Sequence, residues 1–161
     1  EEIENYILGI PYVQEVVVKG KKNEIGQEVA LIAEVFPNQE KVAELKIDNL
    51  EDKYGMPWGR LYIAFYENQV AGCIALRKLN ETECEMKRLY VKPEFRNKGI
   101  AKMLVKKVVS DSKEIGYSSM LLDTLPFLQT AIKMYGKMGF YEIGCYNDSP
   151  LDSTIYMKLD L

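Results

Sequence analysis

The chain has 161 residues, of which 47% are hydrophobic and 28% are charged, and its formal net charge at pH 7 is -3. This size and composition are typical of one soluble globular domain with a core of its own. The acidic balance disfavours a general nucleic-acid binder, which needs a basic face. The absence of histidine excludes the Ser-His-Asp and Cys-His classes of nucleophilic catalysis.

The cysteines and the apolar runs favour a cytoplasmic protein without a metal site. Cys73, Cys84 and Cys145 are widely spaced and form no C-x-x-C pair, so a zinc site is not expected. An odd number of scattered cysteines is typical of a reducing compartment. The longest apolar runs are too short to cross a membrane, and the acidic first residues do not resemble a signal peptide.

The first third of the chain predicts strands separated by turn-forming residues. In order, the patterns indicate a weak helix over 2–9, a strand over 12–18, a turn over 19–26, a strand over 28–36 and a helix over 39–53. We expect residues 1–161 to form a single domain in which residues 1–40 are an atypical N-terminal segment.

The next segment predicts a three-stranded antiparallel meander. Strands are indicated over 60–66, 70–79 and 84–91, with short turns at 67–69 and 80–82. The remaining elements are an amphipathic helix over 99–115, a short buried strand over 119–124, a helix that starts near Phe127 and stops at Gly139, and closing strands over 140–146 and 153–159. This order predicts an α/β (α+β) fold with a mixed, mostly antiparallel sheet flanked by helices.

The segment that follows the meander is a candidate anion site. It reads Arg-Asn-Lys-Gly-Ile-Ala from Arg96 to Ala101 and leads directly into the amphipathic helix. The first N–H groups of a helix have no partner within the helix, so a loop that feeds a helix N-terminus binds anions readily. Gly99 lets the backbone approach a bulky ligand, and Ala101 keeps the first helical turn thin.

This loop and the order of the elements around it resemble the R/Q-x-x-G-x-G/A signature of the GNAT superfamily, the acyl-CoA-dependent N-acyltransferases. The resemblance covers about residues 55–161. It implies a GNAT-like fold and an enzyme that transfers an acetyl group from acetyl-CoA to a primary amine on a small molecule or a peptide. The transfer would be a direct attack in a ternary complex without a metal. The anion would be the pyrophosphate of coenzyme A.

The resemblance also implies which residues contact acetyl-CoA. The sheet would part after the third meander strand, so that the amides of Leu89 and Val91 bind the pantetheine arm and the acyl carbonyl. Lys102 either reaches a phosphate or is an ordinary solvated lysine. The expected coenzyme A-binding residues are Leu89, Tyr90, Val91, Arg96, Asn97, Lys98, Gly99, Ile100, Ala101 and Lys102.

Glu85 is the candidate general base, because it lies eleven residues before Arg96, as the catalytic glutamate does in family members that have one. Half burial in a cleft would raise the pKa of this carboxyl and make it a better base near neutral pH. Three alternatives stay open: an exposed carboxylate that pairs with Lys87 or Arg77, a role for Glu83 on the same strand face, and a chain of waters.

Tyr135 is the candidate general acid. The segment AIKMYGKMGF matches the family's A-x-x-L-Y-x-x-x-G-F, in which the tyrosine reaches the sulfur of coenzyme A. A phenol with a pKa of about 10 is suited to protonate a departing thiolate. The alternative is a buried aromatic residue of the helix. Leu128 stands where family members often carry asparagine, so that contact to the coenzyme A arm is in doubt.

The acceptor is the part that the sequence does not identify. Trp58, Tyr62, Asp123 and Asp148 lie in regions that build the acceptor pocket of this fold, but each is more often structural. A second resemblance joins residues 3–36 to the C-terminal subdomain of adenylate-forming acyl-CoA synthetases. It leaves open a non-catalytic acyl-CoA-binding or regulatory module attached to an acyl-activating enzyme, by fusion or by association. A homodimer is a further open alternative.

Overall fold

The computed structural model describes residues 13–22, 28–37, 50–149 and 151–161. Its strands are β1 (Val13–Lys22), β2 (Glu28–Pro37), β3 (Arg60–Tyr66), β4 (Gln69–Lys78), β5 (Glu83–Val91), β6 (Ser119–Thr124), β7 (Tyr141–Ile143) and β8 (Ile155–Asp160). Its helices are α1 (Leu50–Tyr54), α2 (Ile100–Ile115) and α3 (Gln129–Lys137), with a short 3-10 helix at Pro93–Phe95. None of the helices in this part of the chain has the length and apolar character that a membrane span requires.

The described strands form one sheet in the order β1-β2-β3-β4-β5-β6-β8-β7. Only the β5–β6 pair is parallel, and the other neighbours are antiparallel. The predicted mixed, mostly antiparallel sheet flanked by helices is therefore confirmed. The strand predicted over 28–36 lies inside the sheet, between β1 and β3, so it continues the meander rather than standing apart from it.

The tight β3–β4 turn shows how local sequence sets this register. Glu67 and Asn68 have φ values of +48° and +59°, and Tyr66 pairs with Gln69 across the turn. A two-residue hairpin loop with positive φ at both central positions matches the twist of the strands it joins.

The core lies between one face of the sheet and α2. Leu104, Val105 and Val108 of α2 are fully buried against sheet residues such as Ile74 and Met120. Each such aliphatic side chain contributes about 1.5–3 kcal/mol through removal from water. The helix ends where predicted, since Gly116 adopts a left-handed φ of +103° and its N–H bonds to the carbonyls of Ser112 and Lys113.

The larger differences from the predicted element bounds are at β1, α3 and β7. β1 continues to Lys22 because Lys19 to Lys22 pair with β2, although a turn was expected from Lys19. α3 begins at Gln129, because Pro126 and Phe127 lie inside a turn that the Leu128 N–H closes on the Leu125 carbonyl. The predicted helices over 2–9 and over most of 39–53 lie outside the described residues.

The first of the two closing strands, β7, is also shorter than predicted, because it ends at Ile143 rather than at residue 146. The following residues leave the sheet, and the side chains of Tyr146 and Asn147 turn toward the centre of the sheet instead. After β7 the chain no longer pairs as a strand, and its side chains form hydrogen bonds with Glu85 of β5 and Asp123 of β6 instead.

The functional region is set by a gap in the sheet. β5 and β6 pair only from Glu83↔Ser119 to Glu85↔Leu121. Beyond these pairs β5 runs on to Val91 and β6 to Thr124, so the two strands part in the direction of the chain.

Candidate functional site

A cavity of about 340 Å³ opens where β5 and β6 part. Residues of both strands line it, together with Tyr135 of α3 and residues of the segment between β7 and β8. A concave site at the carboxyl ends of parallel strands, with apolar walls and a few polar groups, is the usual setting for a ligand.

A β-bulge shapes the β5 side of the cavity. Between the pairs Lys87↔Ala75 and Tyr90↔Cys73, β5 places Arg88 and Leu89 opposite a single residue of β4. Arg88 has a φ of +60°, an uncommon value for a residue other than glycine.

The alternation of backbone groups along β5 directs two amides toward the gap. The Lys92 N–H donates to the Ala71 carbonyl at 2.8 Å, which turns this amide toward β4. Because successive N–H groups of a strand point to opposite sides, the amides of Leu89 and Val91 point away from β4, toward the side on which β5 and β6 part.

Gly72 holds β4 close to β5 at this point. A Cβ atom at Gly72 would lie 2.4 Å from the carbonyl oxygen of Tyr90. No side chain fits at that distance, so the approach of the two strands beside the bulge requires glycine.

The predicted anion loop follows β5 and leads into α2. Asn97 and Gly99 have φ values of +61° and +79°, and Gly99 is the N-cap residue of α2. No side chain caps the first turn, and a Cβ atom at Gly99 would meet nothing within 4 Å. The start of α2 is therefore an exposed set of N–H groups with free space in front of it, as an anion site requires.

The basic side chains of this loop lie against the protein. The Arg96 Nε donates to the Val91 carbonyl at 3.2 Å, and the Lys98 Nζ lies 4.6 Å from the centre of the Tyr66 ring. Lys102 is exposed on the first turn of α2. Together, the three cations add positive charge around the loop.

Glu85 is fully buried, which differs from the expected half burial. Its carboxylate accepts from the Nε of Arg77 and, at 2.6 Å, from the hydroxyl of Tyr146, and the Nζ of Lys87 lies 3.1 Å away. The ion pairs with Lys87 and Arg77 do form, but the carboxylate that they share is buried rather than exposed on the strand. Glu83, the rival, is only partly buried and bonds to Asn80 and Ser119.

A second carboxylate extends this polar network to the cavity wall. Lys87 donates to the Asp123 Oδ2 at 2.6 Å, and the Asn147 Nδ2 donates to the same oxygen at 3.0 Å. Burial acts to raise the pKa of Asp123, but the hydrogen bonds from Lys87 and Asn147 outweigh it and hold the pKa below its usual range. Burial and the bond to Glu85 raise the pKa of Tyr146 far above its ordinary value.

Tyr135 is buried and lines the cavity. Its ring packs against Phe140 with 5.7 Å between the ring centres. Burial raises the pKa of Tyr135 to about 12, so the phenol stays protonated across the physiological range. The site thus holds a neutral O–H donor on the side opposite the bulge.

The other residues considered for the acceptor pocket are spread over the protein. Tyr62 is buried and donates to the Asp111 Oδ2 at 2.5 Å, on the side of the sheet that α2 covers. Trp58 is half exposed, with the Lys78 Nζ 4.6 Å from the centre of its ring. Asp148 is exposed, and only Asp123 lines the cavity. Across the described ranges, no three His, Cys, Asp or Glu side chains gather as a metal site would require.

The sequence matches the model of the Acetyltransferase (GNAT) family over residues 28–140. The chain belongs to this family. An uncharacterized N-acetyltransferase of Schizosaccharomyces pombe is 38% identical over 132 residues, which cover 76% of this chain and 81% of that protein. An uncharacterized N-acetyltransferase of Dictyostelium discoideum is 31% identical over an alignment that covers 72% of this chain and 82% of that protein.

Solved structures agree on the fold. A GNAT family acetyltransferase from Elizabethkingia anophelis, with acetyl-CoA bound, superposes with a TM-score of 0.59 at 20% identity, over 91% of this chain and 98% of that one. The resemblance to GNAT proteins is therefore confirmed, and the family match begins at residue 28 rather than at about residue 55.

In this GNAT domain two of the predicted site residues line the cavity, and Glu85, Tyr90, Val91 and the residues of the loop and of α2 are not among its lining residues. Tyr135 and Leu89 line one cavity, the loop at residues 96–101 follows from the same strand, and Glu85 lies where the strands begin to part. The sequence analysis missed Tyr146 and Asn147. Both lie in an irregular segment, where no periodic pattern indicates which side chains turn inward.

Proposed function

We propose that this protein is an N-acetyltransferase that moves an acetyl group from acetyl-CoA to a primary amine by direct attack in a ternary complex. The observation that carries the proposal is the parting of β5 and β6, which opens a cavity beside an uncapped helix N-terminus. Membership of the GNAT family and the acetyl-CoA bound to a structural relative support the same conclusion.

The N-terminus of α2 would hold the pyrophosphate of coenzyme A. The amides of residues 97–101 supply hydrogen bonds, the helix dipole favours negative charge, and Arg96, Lys98 and Lys102 add positive charge. The pantetheine arm would lie along β5, where the backbone of Leu89, Tyr90 and Val91 offers pairing like that of an added strand.

The chemical step needs an oxyanion donor, a proton acceptor and a proton donor. The amine nitrogen attacks the thioester carbonyl, whose oxygen gains negative charge that the Leu89 or Val91 amide stabilises. The C–S bond then breaks, and the Tyr135 hydroxyl donates a proton to the departing thiolate. The proton released by the amine passes to Glu85 through a water or through the Tyr146 hydroxyl that bonds to it.

The experiment that tests this function is a turnover assay with the purified protein, acetyl-CoA and a panel of primary amines. We expect release of free coenzyme A thiol that depends on the amine, with a matching acetylated amine in the mass spectrum. Thiol release at the same rate without amine, or no product with any amine, would contradict an N-acetyltransferase. The alternative of a non-catalytic acyl-CoA-binding module is not favoured, because family membership and the names of the relatives indicate catalysis.

We also propose that residues 1–161 form a single domain, that the protein is a cytoplasmic homodimer, and that residues 3–36 link it to an adenylate-forming enzyme. Light scattering tests the dimer. The parent open reading frame tests the link, since a fusion would place an adenylation domain upstream of Glu1.

A further inference from the structure

Arg88 has two properties that an ordinary strand residue lacks. It lines the cavity, and it sits at the bulge with a φ of +60° while its side chain remains exposed. A residue other than glycine held in this conformation is uncommon, and such residues cluster at functional sites. The bulge thus places an arginine with an exposed side chain beside the cavity.

The charges along the cavity wall are not balanced. Lys87 is neutralised by Asp123 at 2.6 Å and by Glu85 at 3.1 Å. In the part of the chain that the structure describes, no ion pair joins Arg88 to a carboxylate; its side chain bonds to the hydroxyl of Tyr54, a neutral partner. A guanidinium presents a planar fork of N–H donors that matches a carboxylate in a two-point hydrogen bond.

A site for an N–H donor lies on the opposite wall. Asp123 lines the cavity, and its bonds to Lys87 and Asn147 both use Oδ2. Beside it, the buried Oδ1 of Asn147 has no hydrogen-bond partner among the described residues. That oxygen is fully shielded and Asn147 does not line the cavity, so the Asp123 carboxylate is the acceptor that an amine in the cavity would meet.

We infer that the acceptor is an amino acid or a similar amino-carboxylate, with its carboxylate bound by Arg88 and its amine directed toward Asp123. This inference rests on the proposed acetyl transfer and narrows its acceptor. The amine would approach from the wall opposite the bulge, while the carboxylate anchors the substrate at the mouth. Leu125, Leu128 and Leu151 also line the cavity, so leucine, methionine and phenylalanine are suitable first substrates.

The test compares each L-amino acid with its own α-carboxamide, which keeps the amine and the side chain but lacks the negative charge. We expect the wild type to favour the carboxylate in kcat/KM by at least about tenfold. Arg88→Asn should lower kcat/KM for the carboxylate by about 10- to 100-fold and change that for the carboxamide little. Asparagine tolerates a positive φ, so the bulge should persist.

Two control variants separate charge, geometry and stability. Lys106→Asn removes one positive charge from the exposed side of α2 and should leave both rates unchanged. Arg88→Lys keeps the charge but loses the fork and should retain part of the preference. The dissociation constant of acetyl-CoA should be the same for all four proteins, which shows that each one folds.

The failures are distinguishable. Equal rates with carboxylates and carboxamides, or an equal loss of both in Arg88→Asn, would overturn the acceptor inference and leave acetyl transfer intact. Acetylation of simple amines but of no amino acid would do the same. A wild type that neither binds acetyl-CoA nor acetylates any amine would overturn both the function and the inference.

Discussion

Glu85 shows how burial and pairing act together at a single residue. Its carboxylate is fully buried, yet it meets the guanidinium of Arg77, the ammonium of Lys87 and the hydroxyl of Tyr146. A buried charge is tolerated only with such partners. The same partners link it to Asp123 and thus to the cavity, so its effect on stability and its effect on catalysis must be separated by experiment.

We expect Glu85→Gln to lower both stability and turnover. Two cations lose their shared carboxylate, and because both are partly exposed we expect a cost of about 1–3 kcal/mol in the free energy of unfolding. Loss of the base should lower kcat by about 10²- to 10⁴-fold. Denaturant unfolding and steady-state kinetics measure the two effects, with Glu83→Gln as the control on the same strand face. If the two variants behaved alike, Glu85 would have no special role.

Tyr135 gives a prediction about pH. Its pKa in the folded protein is about 12, against about 10 for an unperturbed tyrosine, so its contribution to stability is complete below pH 10 and is lost as the pH rises toward 12. The wild type should therefore lose more stability than Tyr135→Phe between pH 10 and 12, by up to about 2 kcal/mol. The other buried tyrosines titrate in both proteins, so the difference reports Tyr135. Parallel stability curves would contradict the buried phenol.

The same variant tests the proton donor near neutral pH. Tyr135→Phe keeps the ring that packs on Phe140 and removes only the hydroxyl. We expect kcat to fall by about 10²-fold or more, with little change in the dissociation constant of acetyl-CoA. An unchanged kcat would show that the thiolate leaves without the help of Tyr135.

At the scale of elements, the site depends on how β4 and β5 approach and how β5 and β6 separate. The bulge at Arg88 and the contact of Gly72 with the Tyr90 carbonyl belong to the first feature, and the short β5–β6 pairing to the second. Together they turn the amides of Leu89 and Val91 away from β4 and lead the chain into the loop before α2.

Gly72→Ala tests the close approach of β4 and β5. A methyl group 2.4 Å from the Tyr90 carbonyl must push the strands apart, so we expect a loss of about 1–3 kcal/mol in stability and weaker binding of acetyl-CoA. Gly136→Ala is the matched control, because its Cβ would meet nothing within 4 Å on α3. There alanine should be neutral or stabilising by up to about 1 kcal/mol. A stable Gly72→Ala with normal binding would contradict the role of this contact.

The sequence predicts elements well where one local pattern dominates, and poorly where tertiary contacts decide. β3 and β6 have the predicted bounds because alternation and a short apolar run define them, and Gly116 ends α2 as expected. The bulge at Arg88 has no local signal, since it arises from the register between two strands. Full burial of Glu85 was missed for the same reason, because Tyr146 comes from a distant, irregular segment.

At the scale of the whole molecule, the sheet keeps the apolar core apart from the polar cavity. One face packs on α2 and carries the apolar core, while the parted edge between β5 and β6 holds the polar network and the cavity. The uncapped start of α2 lies on the path from β5, so the helix that completes the core also carries the proposed anion site at its first turn. This arrangement explains why a net charge of -3 is compatible with binding an anionic cofactor: the positive potential is local.

The most direct test of that arrangement is a calorimetric titration of acetyl-CoA into the wild type, Gly99→Glu and Gly116→Glu. Both glycines have a positive φ and open space for a side chain, but they lie at opposite ends of α2, so the two variants share backbone strain and added charge. We predict binding to the wild type and to Gly116→Glu, and binding at least about 100-fold weaker to Gly99→Glu, where the carboxylate repels the pyrophosphate. Equal affinity in all three proteins would contradict an anion site at the start of α2, and with it the proposed orientation of acetyl-CoA.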